Sequence, residues 1–155
     1  MQKILRMKLM YLIALVFIFD ACNNSNHNNG DKDKQHADSL MGEVIKVHNV
    51  GMAKMDRIDE GEKKVQQRLD SISRLPSDTQ KSSAKYKMQL DSMLGRLKLA
   101  NEAMENWMNA FNMDSSLNNM QQRIQYLESE KMKIGAVKDA MIRTLQKADS
   151  LLTAK

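Results

Sequence analysis

Two sets of side chains in this 155-residue chain have types and spacing that could do chemistry: the single cysteine, Cys22, and the group His48, Met52 and Met55. A cysteine thiol can accept a lipid, and Cys22 stands where such a group is placed. Lys3, Arg6 and Lys8 precede an apolar run from Leu9 to Phe19, and Ala21 supplies a small residue just before the cysteine. The run is shorter than the roughly 20 residues that a membrane-spanning helix requires. It matches instead the apolar core of a secretory signal, about 7–15 residues long behind a basic start. Residues 1–21 are therefore expected to be a signal peptide, and Cys22 the lipidated first residue of the mature chain. His48, Met52 and Met55 lie at i, i+4 and i+7, which puts them on one face of a helix. Imidazole with thioether sulfur suits Cu(I). The same three residues also serve as packing, because methionine fills irregular gaps and the chain holds 14 methionines. No second ligand pair can be assigned, so packing is the expected role, with no bound cofactor, and Cu(I) binding or buffering through methionine is the alternative.

Phe19, Asp20, Ala21 and Cys22 resemble the four positions of the bacterial lipobox. Phe19 stands in place of the usual leucine, and Asp20 where a small uncharged residue is commoner. The resemblance implies acylation of Cys22. Each buried CH₂ of an acyl chain contributes about 0.8 kcal/mol, and a single chain binds a membrane only marginally. Several chains, as the resemblance implies, make attachment effectively permanent. The expected location is the cell envelope, on the periplasmic side or the surface of a bacterial membrane.

Charge and composition narrow the function classes. The net charge is +5, but the basic residues are spread along the chain and form no block of the kind that binds nucleic acid. A single cysteine rules out an intramolecular disulfide. No Ser/His/Asp set, carboxylate pair, glycine-rich phosphate loop or zinc spacing is present in the sequence. Enzymatic activity is therefore not expected.

Residues 23–30 read NNSNHNNG. Such a segment has no apolar residue to bury, so residues 22–37 are expected to form the lipidated cysteine and a flexible spacer, with His27 and His36 solvated within it. From residue 38 onward the apolar spacing is 3 and 4 throughout, which predicts an all-α domain over 38–155. The first helix is expected over about 39–74, with an apolar stripe of Met41, Val44, Ile45, His48, Met52, Met55, Ile58, Val65, Leu69 and Ile72. The stripe weakens over residues 59–64, where a bend is expected. Pro76 ends this helix, and Ser77 with Gln80 has the spacing of a capping box for the next. The second helix is expected over about 78–111. Its residues Tyr86, Leu90, Met93, Leu97, Ala100, Met104, Trp107 and Phe111 alternate steps of 4 and 3 as a heptad seam. Asp114 or Ser115 is placed to cap the third helix, expected over about 116–152, with Leu117, Met120, Ile124, Leu127, Ile134, Met141, Leu145, Ala148 and Leu152 on its seam. Lys131 and Lys138 interrupt that seam. Three helices of similar length, each about 50–55 Å long, with short connections predict an up-down-up antiparallel bundle. An open rod of two or three chains is the alternative. Trp107 lies on a seam and is expected in the core. Met108, Met113 and Met132 lie off the seams and are candidates for an exposed, adaptable partner-binding patch.

Two motifs in order carry a further resemblance. One is Glu43-Val44-Ile45-Lys46-Val47-His48, running on to Met52-Ala53-Lys54-Met55. The other is Asn101-Glu102-Ala103-Met104-Glu105-Asn106-Trp107-Met108. Tyr126-Leu127 followed by Lys133-Ile134 agrees with them. Over roughly residues 40–152 the chain resembles a group of small lipoproteins from Bacteroidota, some of which carry the label "viral A-type inclusion protein". The group often has proline where this chain has Ala53, so the local bend is expected to differ. The resemblance implies an exported helical lipoprotein and no particular activity. The expected function is a lipid-anchored structural or protein-interaction module of the cell envelope. Its expected partners are a membrane, through the lipid on Cys22, and an envelope protein, but no nucleic acid.

Overall fold

The computed structural model describes residues 25–153; Cys22 and the signal segment lie outside them. The described residues are all-helical, with no strand among them. The helices are α1 (Ser25–Met52), α2 (Met55–Ser73), α3 (Ser77–Ser82), α4 (Ala84–Ala110) and α5 (Met120–Thr153). None is long and apolar enough to cross a membrane.

The heptad seam of α4 forms one side of the main core. Leu90, Met93, Leu97, Ala100, Met104 and Trp107 are all buried, and Tyr86 and Phe111 pack at its two ends. Val44, Ile58, Val65, Leu69 and Ile72 meet it from α1 and α2, and Ile134, Met141, Leu145 and Ala148 from α5. Along α2, α4 and α5 these residues fall three, four or seven apart, so each element turns one apolar stripe toward the others. Gly51 and Gly61 are buried where α4 comes closest. A Cβ on Gly51 would collide with the Met104 ε-methyl, and one on Gly61 would lie 3.3 Å from Leu97 Cδ2. These glycines weaken helix propensity by about 1 kcal/mol each, and in return the α4 side chains approach the backbone of α1 and α2.

Several features differ from the sequence-based expectation, among them a break of the expected second helix at Ser83, between α3 and α4. The expected spacer is helical from Ser25, and Ala37 and Leu40 are buried against Ile124 and Leu127 of α5, with Met41, Phe111, Met120 and Tyr126 around them. Polar composition concealed this because the expected spacer offers one apolar core contact, Ala37, and one polar tie, Asp33 to Gln121 of α5. The interruption of the long first helix falls at residues 53–54, not 59–64. There Lys54 N–H bonds to Gly51 O (2.8 Å), a tightened turn next to the buried glycine. Around 59–64 the helix is continuous, and the missing side chain of the buried Gly61 leaves room for Leu97 to fill the stripe. The capping box does not form, because Pro76 takes the cap position and has no N–H to offer. Gln80 Nε2 instead reaches back to Ser73 O (3.0 Å) and Leu75 O (2.7 Å), closing the end of α2. Finally, α5 starts at Met120 with Asn119 as its cap: Gln122 N–H donates to Asn119 Oδ1 at 3.1 Å. Neither Asp114 nor Ser115 serves, and Leu117, expected on the seam, is exposed in the preceding connection.

Candidate functional site

The most organised side-chain cluster joins α1, α4 and α5. Trp107 lies at its centre. Its ring stacks on Phe111 (centroids 4.8 Å apart) and tilts against His48 (5.5 Å), and Phe111 in turn faces Tyr126 (6.2 Å). The indole Nε1–H donates to Glu130 Oε2 at 2.9 Å, and Lys133 Nζ donates to Glu130 Oε1 at 2.7 Å. Glu130 is only 5% exposed and Trp107 7%. Both carboxylate oxygens thus face donors, which is the condition for burying a carboxylate without a large desolvation cost. The hydrogen bond and charge of Glu130 raise the Lys133 pKa above its ordinary value. Glu130 falls between the seam positions Leu127 and Ile134, so the apolar period passes over it; the tryptophan on the facing seam was the only sequence signal that a buried acceptor was needed.

A second polar anchor organises the connection over residues 111–119. Arg123, also buried, donates from Nη1 to Met113 O (3.1 Å) and Ser115 O (2.9 Å). Tyr126 OH accepts the Asn112 N–H at 2.7 Å, and Asn112 Oδ1 accepts the Asp114 N–H at 3.0 Å. Ser116 takes a left-handed conformation with φ 59°. These bonds satisfy backbone groups that a connection at the end of a helix would otherwise leave unmade.

The proposed Cu(I) face is divided. His48 is half-buried against Trp107 and its Nδ1 lies 3.2 Å from Asn49 Oδ1. Met52 is exposed, whereas Met55 packs on the core beyond the interruption at 53–54. Among the described residues no three His, Cys, Asp or Glu side chains are grouped to hold a metal ion. Of the candidate exposed methionines, Met113 (58%) and Met132 (71%) are exposed, but Met108 packs against the core beside Trp107. Met88, which the sequence did not single out, is exposed to a similar degree (66%).

The remaining polar groups are surface pairs. Lys131, a seam interruption, reaches Glu43 on α1, and Lys138 meets Asp139. The Lys131 hydrogen bond and charge hold the Glu43 carboxyl below its ordinary value. Glu62 moves the other way: burial raises its pKa, and nearby Asp59 adds to the shift. The arrangement as a whole locks helices to one another and presents charged and methionine-bearing surface between them. No protein-family model, curated protein or solved structure matches the chain.

Proposed function

We propose that the protein is a lipid-anchored envelope lipoprotein whose helical bundle serves as a structural or protein-interaction module. One observation carries the reading: a basic start, a short apolar run, Ala21 and then the single Cys22. The likeness of the 43–55 and 101–108 motifs to small Bacteroidota lipoproteins belongs to the same reading. The proposed arrangement is three helical arms running up, down and up, with α1 and α2 together as the first. Cross-helix pairs support it. Gln121–Asp33, Lys131–Glu43 and Arg57–Asp149 advance together along the first arm and α5, whereas Asn101–Asp59 and Leu97–Gly61 run in opposite directions between α2 and α4.

The test is chemical and cellular. The mature protein should carry an acylated cysteine as its first residue, read by mass spectrometry of its N-terminal peptide, and should sediment with membranes. Cys22→Ala should move it to the soluble fraction with its helicity unchanged, because the acyl chains supply the membrane affinity. Retention of the variant on membranes would overturn the lipid-anchor reading.

A further inference from the structure

Where α5 ends at Thr153, an open groove of about 400 Å³ runs between it and α4, lined by Lys85, Met88, Ser92, Arg96, Lys147 and Leu151 among others. We propose that this groove docks an acidic, amphipathic helical segment of a partner protein. The inference rests on the interaction-module reading and gives that module a partner chemistry.

Charge is the first argument. Lys85, Arg96 and Lys147 make no ion pair among the described residues. The two carboxylates nearest in sequence are already engaged: Asp91 by Lys87 at 3.0 Å and Asp149 by Arg57 at 2.8 Å. Three cations therefore border one groove without internal compensation. On α4, Lys85 and Arg96 are about three turns apart, roughly 16 Å along the axis. Carboxylates spaced three turns apart on a docked helix would meet both, with Lys147 facing them from α5.

Shape and polarity supply the second argument. Between the cations the groove carries Met88, Met93 and Leu151, with Met88 exposed and Leu151 half-buried. Methionine adapts to an incoming apolar face, and a groove between two helices accepts a third through residues at helical spacing. No aromatic side chain lines the groove, so it offers no platform on which bases would stack. A membrane surface fits poorly as well. Lys64, Arg68 and Leu152 lie together beside the end of α5, so the groove is level with that part of α2. It therefore lies about 60–65 Å along α1 and α2 from Ser25, at the end of the molecule away from the proposed anchor.

The full chain in detergent micelles can be titrated against a fluorescent peptide whose Glu and Leu residues repeat at helical spacing, followed by anisotropy. Saturable binding is expected, weakened by salt. Lys85→Gln, Arg96→Gln and Lys147→Gln together should reduce it about tenfold, the product of three exposed ion pairs each worth a few-fold. Met88→Ser should also weaken it, and Lys85→Arg should not. Circular dichroism of each variant must match the parent, as befits changes at groove positions that anchor no other helix; the Met88→Ser arm still stands if the triple variant loses helix. Failure of the peptide to bind, equal binding by the triple variant, equal binding of polyglutamate, or displacement of the peptide by phosphatidylglycerol vesicles or pyrophosphate would each overturn the proposal. Cys22→Ala separates the two readings. If it fails to release the protein from membranes while the peptide still binds, the anchor reading falls and the groove stands; the reverse pattern removes only the groove.

Discussion

The hydrogen bond from Trp107 to Glu130 makes a sharp test of how the bundle is held, because both groups are buried and each answers the other. Replacing Glu130 by leucine leaves the indole N–H without an acceptor in a site closed to water and frees Lys133 from its partner. A buried donor left unsatisfied costs about 1–3 kcal/mol. Replacing Trp107 by phenylalanine leaves a buried carboxylate facing one fewer donor and removes part of the ring that stacks on Phe111, with a cost of similar size. The double variant leaves neither polar group unmatched at that contact. Its destabilisation should therefore fall short of the sum of the single variants by about 1–2 kcal/mol, within the range that contacting residues show in such cycles. Glu130→Gln is the internal control: it keeps an oxygen for the indole and should cost less than Glu130→Leu. Urea unfolding at neutral pH, followed by far-ultraviolet circular dichroism, measures all four proteins; indole fluorescence cannot, since Trp107 is the only tryptophan. Additivity within about 0.3 kcal/mol would refute the reasoning and mean that the carboxylate is solvated rather than held by the indole.

Three further outcomes follow from the same geometry. Lys133 is held above its ordinary pKa of 10.5 by Glu130, so its contribution to stability is present below pH 10.5 and is lost as pH rises through the folded value; Glu130→Gln should flatten that alkaline loss in a pH series of unfolding curves. Glu43 lies below its ordinary 4.5 because of Lys131, so its contribution is present above pH 4.5 and is lost as pH falls through the folded value; Lys131→Gln should move the Glu43 titration upward by NMR, and an unmoved titration would mean that the pair is not formed in solution. Arg123→Gln should expose residues 111–119 to proteolysis well before the helices melt, since two carbonyls of that connection lose their donor; cleavage no faster than in the parent would show that the connection is held by other bonds.

The seams were legible because each repeats its signal many times. Leu90, Leu97 and Met104 recur at a spacing that only a buried helical face explains, and all three are fully buried. Features that depend on one residue meeting another far along the chain were not legible. Glu130 looks like any surface glutamate until the Trp107 ring is placed beside it. Gly51 reads as a weak point in a helix until Met104 is seen to occupy the space its missing side chain leaves. Gln80 fits a capping box by spacing, yet the proline ahead of it redirects its side chain to the helix that has just ended. Leu117 follows the periodicity of α5 but precedes its cap, and periodicity alone cannot say where a helix begins. The same is true of Ala37, a buried residue in a segment whose composition otherwise predicts solvent.

That last difference changes what an anchor at Cys22 would do. A flexible spacer of fifteen residues would let the bundle wander over a root-mean-square span of about 20–25 Å and sample many orientations. With α1 starting at Ser25, the residues from 25 to 37 form about 18 Å of helix, fixed to α5 through Leu40, Ile124 and Leu127 and tied again by Gln121 to Asp33. Only two residues separate Cys22 from this helix in sequence. Under the proposed acylation, the lipid would be joined almost directly to the first arm of the bundle, and the length of that arm would set how far the other end stands from the membrane. Reach would come from helix length rather than from chain flexibility, so a partner docking beside the end of α5 would be held at a nearly constant distance. A rigid arm also loses less entropy on binding than a tethered coil, which favours a module that works by position.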